Sequence, residues 1–285
     1  MGSMLEATTP SRTALGVGIC RASHQLYDAA PLVFEDPVAV PILGDLYGAA
    51  MEAYAAEMQE RSSLGLRARI LMRSRYAEDT LAEAVARGVK QYVLLGAGLD
   101  TFAHRNPHDK LRVFEVDHPA TQRWKRELLE RNQMPEPLRL RYVPVDFERQ
   151  SLARELEAGG LDLASPTVFA MLGVVLYLTH TAFHATLDFI ASLPEGSGVI
   201  FDYNGPRHVL EPHEAAARDL LAAQVQELGE PFRLFFTPEE MAEELTAFRV
   251  VEDLGRAQLN ARYFTRRADE LRLVGSAGRM LSAWR

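Results

Sequence analysis

Short apolar runs alternate with stretches of helical periodicity through the central part of the chain. Each run is followed by glycine, aspartate or asparagine, and the five are Tyr92–Leu95, Val113–Val116, Leu140–Val145, Thr167–Leu172 and Val199–Tyr203. Helical spacing of apolar residues separates them at 119–131, 150–158 and 180–192. Strands that alternate with helices in this way form parallel sheets with crossover helices. The pattern predicts a doubly wound α/β fold.

Helical patterns dominate the chain before the first predicted strand. One covers residues 11–30, and Asp36-Pro37 is typical of the start of another. A longer helix is predicted over Ser62–Arg87, because Gly88 follows where a helix would end. Its expected inward positions are Leu66, Ile70, Tyr76, Leu81 and Ala84. We predict a helical N-terminal cap over residues 1–60, belonging to the same domain, and a main domain over residues 61–285.

The C-terminal part of the chain predicts further elements of the same kind. These are a helix near 212–228, an extended segment at 232–236, a helix beginning at Thr237-Pro238, a strand over 249–254 and a final edge strand over 280–284. Two more strands would bring the sheet to seven. No internal repeat interrupts this series.

Composition narrows the class of partner. A formal net charge of -8 argues against a nucleic-acid phosphate backbone as the main partner, since such binding depends on Lys and Arg. Cys20 is the single cysteine, so no disulfide forms within the chain, and a cytoplasmic protein is expected. No apolar run approaches the length of a membrane span, so no membrane association is expected.

The segment from Leu94 to Thr101 carries the clearest chemical signal. A buried strand leads into Gly96, Ala97 and Gly98, where a ligand could approach the backbone closely, although an ordinary tight turn has the same pattern. A dinucleotide-binding turn would have glycine in place of Thr101, and Asp100 would repel a pyrophosphate. The acidic residue favours a cofactor without phosphate, such as S-adenosylmethionine with its ammonium and sulfonium charges.

Acidic residues also follow the next two predicted strands. Asp117 is placed to accept hydrogen bonds from the two hydroxyls of a ribose, the role we favour, although it could also cap the helix that begins at His118-Pro119. Asp146 could accept a hydrogen bond from the exocyclic amine of adenine, with Phe147 covering the base, or could simply cap a turn. Three acids at successive strand ends favour an adenosine-binding site.

These motifs resemble the leucine carboxyl methyltransferase-like family of S-adenosylmethionine-dependent methyltransferases, in its bacterial branch. The stretches that carry the resemblance are Arg73–Asp79, Leu94–Arg105, Phe114–Pro119, Tyr142–Phe147 and Phe201–Tyr203. The resemblance implies a class I, Rossmann-like fold with seven strands. It also implies that Arg73 pairs with the methionine carboxylate, that Gly96 and Gly98 line the cofactor, that Asp117 binds the ribose, and that Asp146 and Phe147 hold the adenine. Arg73 on a solvated helix face is the alternative. Leu172 stands where some members have glutamate, so an acidic contact is not expected there.

The acceptor side is less well defined. Transfer to a hydroxyl needs a general base, for which His24, His180 and His208 are candidates, with Tyr27 and Tyr203 as further catalytic candidates, whereas an ionised carboxylate needs none. Arg21, His24 and Tyr27 share one helix face, which would line a lid or be partly solvated. Further acceptor-binding candidates are Tyr177, Tyr203, Asn204 and Arg262. No metal is expected, since Asp202 and Asn204 do not complete a coordination shell.

The prediction is therefore an O-methyltransferase that acts on a small molecule, with a carboxylate favoured by the resemblance and natural-product biosynthesis as the expected setting. Three alternatives stay open: methylation of a protein C-terminal carboxylate, binding of the cofactor without catalysis, and an NAD(P)-dependent oxidoreductase.

Overall fold

The computed structural model describes residues 11–57, 60–147, 149–227 and 229–285. Its strands are β1 (Gln91–Leu95), β2 (Arg112–Asp117), β3 (Leu140–Pro144), β4 (Thr167–Met171), β5 (Gly198–Asn204), β6 (Val250–Leu254) and β7 (Gly278–Trp284). Its helices are α1 (Arg12–Tyr27), α2 (Ala39–Leu43), α3 (Gly48–Glu57), α4 (Arg61–Ala86), α5 (Phe102–Arg105), α6 (Pro119–Arg131), α7 (Leu152–Ala158), α8 (His180–Ser192), α9 (Pro212–Glu227), α10 (Pro238–Glu244) and α11 (Arg256–Tyr263). None of these helices is both long and apolar enough to cross a bilayer.

The described strands form one sheet in the order β3-β2-β1-β4-β5-β7-β6. β1 to β5 are parallel, and β7 pairs antiparallel with both β5 and β6. The predicted doubly wound α/β fold with seven strands is confirmed. The prediction of 280–284 as an edge strand is wrong, because β7 lies inside the sheet and its residues Met280–Ala283 are buried. The edge strand on this side of the sheet is β6, whose Val250 and Val251 are exposed.

Two smaller predictions also need correction. The segment predicted as extended, 232–236, lies outside the strands, and the backbone N–H of its Phe236 donates to Asn204 O. Asp36-Pro37 lies in a turn, and α2 begins only at Ala39. Leu66 is exposed rather than inward, because the buried face of α4 there is set by Leu64, Arg67 and Ala68.

Apolar clusters cover both faces of the sheet, and the N-terminal helices lie against one end of it. A Cβ atom on Gly98 would come within 3.1 Å of the Ala14 side chain, so α1 packs directly on the loop that follows β1. The backbone N–H of Ser11 donates to Thr121 Oγ1 (3.2 Å), which ties the start of α1 to α6. α1 therefore crosses the carboxyl ends of the central strands, although a domain boundary at residue 60 stays a prediction.

A buried ion pair supports this loop from below. Lys125 Nζ lies 2.5 Å from Glu115 Oε2 and donates to the backbone oxygen of Asp100 at the same distance. Both side chains are about 1% exposed. Burial raises the pKa of Glu115 to about 7, although the Lys125 ammonium opposes the shift. The pair fixes β2 and α6 against the backbone just after the glycine turn.

Replacing Lys125 with Met should lower the free energy of unfolding by about 3 kcal/mol, since removal of one partner leaves a buried carboxyl group without its counter-charge. The pKa of a lone Glu115 would rise further, so stability would be lost as pH rises above the unfolded value. The loss should therefore be larger at about pH 8 than at about pH 5 in urea unfolding experiments.

The double variant E115Q/K125M is the matched control for this prediction. It carries no buried charge at the pair, so its stability should exceed that of K125M at about pH 8 and should change little between the two pH values. Equal stability of the single and double variants at both pH values would contradict the account.

Candidate functional site

The loop after β1 is a tight glycine turn at the carboxyl edge of the sheet. Gly96 and Gly98 have φ of 66° and 51°, a backbone region that favours glycine. A Cβ atom on Gly96 would lie 2.6 Å from Val174 Cγ2, so space also requires glycine there. The N–H groups of Gly96 and Ala97 donate to Val116 O at 2.8 and 3.2 Å. The turn is thus fastened to the neighbouring strand β2.

Asp117, at the end of β2, holds the same turn with its side chain. Its Oδ2 accepts from the Gly98 N–H (2.6 Å) and its Oδ1 from the His118 N–H (2.7 Å). Burial raises the pKa of Asp117, although these two hydrogen bonds lower it. The alternative role as helix cap is wrong, because His118 is the N-cap of α6. A carboxylate has about four lone-pair positions, so Asp117 keeps capacity for further donors.

Asp146 and Phe147 follow β3 next to Asp117. The Val145 N–H donates to Asp117 O (2.9 Å), which brings the ends of β2 and β3 together. Asp146 is 30% exposed and lies 3.6 Å from Arg149 Nε. Phe147 is partly buried against the apolar core. The structure therefore brings both residues to the edge that carries Asp117, and their contact with adenine stays a prediction.

Asp100 and Arg21 form an internal ion pair. Arg21 NH1 lies 3.1 Å from Asp100 Oδ2, and Arg21 NH2 lies 2.6 Å from Asp36 Oδ2. Burial raises the pKa of Asp100, but the positive charges of Arg21, Arg105 and Lys125 outweigh it and hold the pKa below its usual value. Arg21 is only 3% exposed, so the alternative of a partly solvated face is wrong, and its place on a lid over the acceptor stays a prediction.

His24 is likewise internal. Its Nδ1 lies 2.5 Å from Asp28 Oδ2, and its Nε2 accepts from the Val33 N–H at 3.2 Å. The ring is fully buried. Tyr27 is 47% exposed at the end of α1, about 20 Å along the helix axis from Ala14. Along this face of α1, Arg21 and His24 are therefore buried and only Tyr27 reaches solvent, and a role of the three at an acceptor site stays a prediction.

Two other candidates, Tyr203 and Arg262, contact acidic residues of β6. The hydroxyl of Tyr203 donates to Asp253 Oδ2 (2.6 Å). Burial and this carboxylate raise the pKa of Tyr203, so its hydroxyl stays protonated at neutral pH and cannot act as a general base. Arg262 NH1 lies 3.6 Å from Glu252, and its guanidinium lies over the Tyr76 ring at 5.3 Å. Neither side chain is brought to the glycine turn, so their candidate roles at an acceptor site are not supported by this geometry.

Four side chains at the ends of β4 and β5 form what we call the arginine cluster: Arg69, Arg73, Asp202 and Asn204. Arg69 donates to Asp202 Oδ2 (3.0 Å) and to Asn204 Oδ1 (2.7 Å). Arg73 NH1 lies 3.8 Å from Asp202 Oδ2. Two guanidinium groups therefore share one carboxylate, which leaves a net positive charge. The predicted Arg73 and Asn204 meet here, while Arg69 was not predicted, although its position one turn before Arg73 on α4 was a usable signal.

The guanidinium of Arg73 lies on the turn that follows β4. A Cβ atom on Gly173 would come within 2.4 Å of Arg73 NH1, and the Gly173 N–H donates to Asp202 Oδ1 (2.5 Å). Arg73 is 12% exposed, and burial lowers its pKa, partly offset by Asp202. This places Arg73 at the edge of the sheet rather than on a solvated face of α4. The guanidinium lies against the backbone at Gly173, and Leu172 offers it no acidic side chain.

Tyr177 lies beside this turn, in the 3-10 helix Val175–Tyr177. Its ring centroid is 5.6 Å from that of Phe232. Burial raises the pKa of Tyr177. Thr13 Oγ1 donates to Glu230 Oε2 (2.7 Å), so the start of α1 reaches the segment that carries Phe232. Aromatic rings and the start of α1 thus border the arginine cluster.

Comparison with known proteins assigns the family. The leucine carboxyl methyltransferase family matches residues 14–191. YktD of Bacillus subtilis, named "Putative S-adenosyl-L-methionine-dependent methyltransferase", is 31% identical over 287 residues, which cover 92% of this chain and 93% of that protein. A protein of the same description from Frankia alni is 33% identical over 224 residues, covering 76% of this chain and 77% of that one.

Two solved structures share the fold. A DUF574 family protein from Streptomyces avermitilis superposes with a TM-score of 0.60 at 17% identity, covering 95% of this chain and 97% of that one. A protein from Thermobifida fusca described as a putative methyltransferase gives a TM-score of 0.60 at 16% identity, covering 99% and 96%. The sequence matches extend this similarity beyond the fold: the chain belongs to the leucine carboxyl methyltransferase family of S-adenosylmethionine-dependent methyltransferases.

Proposed function

We propose that the protein transfers a methyl group from S-adenosylmethionine to a carboxylate oxygen of a small molecule. The observation that carries the proposal is the arginine cluster, in which Arg69 and Arg73 share the single carboxylate of Asp202. A net positive charge at the carboxyl edge favours an anionic acceptor. The open α/β sheet offers this edge as the place where ligands bind.

The residues of the edge match the chemical groups of the cofactor. Arg73 makes no hydrogen bond with any described residue, so its guanidinium is available to the methionine carboxylate. Asp117 is placed beside the glycine turn with acceptor capacity for ribose hydroxyls. Asp146 and Phe147 lie at the next strand end, which suits an adenine. These assignments agree with the roles that the family resemblance implies.

A carboxylate acceptor also fits the surroundings of the candidate bases. His24 has both ring nitrogens engaged by Asp28 and Val33. His180, on α8, pairs with Glu244 at the end of α10, and His208 is exposed after β5. An acceptor that is already ionised needs no proton removed, so positioning and exclusion of water suffice.

Bound S-adenosylmethionine supplies a methyl group activated by its sulfonium. The protein then has to orient the acceptor oxygen toward that methyl group and hold its charge. The arginine cluster provides the charge, and α1, tied to Thr121 and Glu230 at its first turn, provides cover over the edge. A natural-product acceptor and a cytoplasmic location stay predictions.

The rate of methyl transfer at saturating acceptor should be nearly independent of pH between about pH 6 and about pH 9, because an ordinary carboxyl group is fully ionised across this range. Formation of S-adenosylhomocysteine, followed by a coupled assay or chromatography, measures the rate. A rate that rises tenfold per pH unit through the lower half of the range would indicate an acceptor that must lose a proton, and would exclude the carboxylate.

Replacing Asp117 with Ala should weaken binding of S-adenosylhomocysteine by more than about tenfold, because ribose hydroxyls lose a charged acceptor and the Gly98 N–H loses its partner. Calorimetry measures the affinity. The same titration with NAD(H) and NADP(H) should show no binding to the wild-type protein.

Asp162→Ala is the matched control. Asp162 also accepts a backbone hydrogen bond, from the Ala164 N–H (3.0 Å), but lies before β4 at the opposite edge of the sheet. Its loss should leave cofactor affinity within about twofold of wild type. Unchanged affinity in the Asp117→Ala variant would remove the ribose assignment.

A further inference from the structure

The side-chain amide of Asn204, at the end of β5, has a hydrogen-bond partner for its oxygen but none among the described residues for its nitrogen. Its Oδ1 accepts from Arg69 NH1 at 2.7 Å. Its Nδ2 is buried and has no hydrogen-bond partner among the described residues. The amide cannot be rotated to exchange the two atoms, because Nδ2 would then face the guanidinium, donor against donor. The orphaned group is therefore a donor.

A buried donor without a partner destabilises the protein, and a ligand oxygen that accepts its hydrogen bond would remove that cost. Asn204 is only 7% exposed, so bulk water does not supply the missing hydrogen-bond acceptor. The neighbouring Arg69 is 29% exposed and has five N–H donors, more than its contacts with Asp202 and Asn204 occupy. A neutral donor and a cationic donor thus lie side by side, which is the chemistry that recognises a carboxylate.

The position of Asn204 and Arg69 relative to Arg73 indicates which carboxylate group these two donors would bind. Arg69 and Arg73 are one turn apart on α4, about 6 Å along the helix axis. Arg73 is the residue proposed to hold the methionine carboxylate of the cofactor. An anion on Arg69 would therefore lie next to the methionine end, where the transferable methyl group is. Asp202 and the methionine carboxylate together balance the two guanidinium groups, and the ammonium of the cofactor, joined in S-adenosylmethionine by the sulfonium, keeps the site positive for this anion.

We propose that Asn204 Nδ2 and the Arg69 guanidinium form the subsite that binds the carboxylate of the methyl acceptor. This inference rests on the proposed function, and it names two residues that select the substrate class. Asn204 also positions Arg69, because its Oδ1 accepts a hydrogen bond from the guanidinium. The donors neutralise the acceptor's charge on one oxygen while the other oxygen remains free to accept the methyl group.

The test measures binding of small carboxylates to the wild-type complex with S-adenosylhomocysteine. The probes are benzoate, phenylacetate, hexanoate and octanoate, each paired with its primary amide, together with phenol, in ligand-observed NMR titrations. We expect carboxylates to bind more tightly than their amides. Asn204→Asp keeps the shape of the side chain and the acceptor for Arg69 but replaces the donor with a negative charge, so it should weaken carboxylate binding at least about tenfold.

Arg69→Gln should weaken carboxylate binding to a similar degree. Asn204→Asp tests the same subsite independently, so the inference remains testable if Arg69→Gln folds poorly. Arg75→Gln is the matched control, because Arg75 lies on the same helix, is 46% exposed and pairs with Asp79 away from the cluster. It should bind both ligands like wild type. Affinity for S-adenosylhomocysteine should stay within about twofold in all three variants.

The outcomes separate this inference from the proposed function. If carboxylates bind the wild-type protein and both cluster variants equally, the subsite is wrong and the carboxylate acceptor stands. If amides or phenol bind as well as carboxylates, or no carboxylate binds, both fail. If either cluster variant loses S-adenosylhomocysteine binding to the same extent as carboxylate binding, the residues belong to the cofactor site and the inference is overturned.

Discussion

The hydrogen bonds from the backbone N–H groups of Gly98 and His118 to the Asp117 carboxylate connect the three strand ends on which the site is built. The glycine turn follows β1, Asp117 ends β2, and the backbone oxygen of Asp117 accepts from Val145 after β3. These short contacts require the positive φ of Gly98 and the approach that Gly96 permits. One carboxylate therefore both shapes the turn and presents acceptor oxygens at the edge of the sheet.

Charges around this edge are arranged in two groups with different balance. Beneath and beside the turn, Lys125 pairs with Glu115, and Arg21 pairs with Asp36 and Asp100, and all of these except the 13% exposed Asp100 are buried. Buried charges of this kind are tolerated only when paired. At the ends of β4 and β5 the balance differs, because Asp202 is the only described acidic residue that pairs with Arg69 and Arg73. The first group is structural, and the second leaves charge for ligands. This division explains why only some of the conspicuous polar residues belong to the proposed chemistry.

The sequence was informative where the signal is local. Strand ends, the glycine turn and the acids Asp117 and Asp146 follow from apolar runs and the residues directly after them, and the structure places each at the carboxyl edge. Two helices, Pro119–Arg131 and His180–Ser192, also have the predicted bounds. A strand ended by glycine or aspartate carries its own boundary in a few residues, which is why these predictions hold.

Features that depend on contacts between residues far apart in the sequence could not be predicted in the same way. The burial of Arg21 and His24 results from Asp36, Asp100 and Asp28, and helical spacing alone cannot distinguish such partners from solvent. The interior place of β7 depends on pairing with β5 and β6, which the order of strands in the chain does not reveal. Arg69 stands one turn before Arg73 in the sequence, but its contacts with Asp202 and Asn204 depend on the packing of α4 against β5.

The central claim is that the site binds an ionised acceptor and methylates its oxygen without a general base. The most direct measurement supplies S-adenosylmethionine with an isotopically labelled methyl group and a mixture of carboxylic acids and phenols, and then treats the labelled product with mild alkali. The account predicts a methyl ester, which releases labelled methanol. A labelled product that survives alkali, as a methyl ether does, would contradict it.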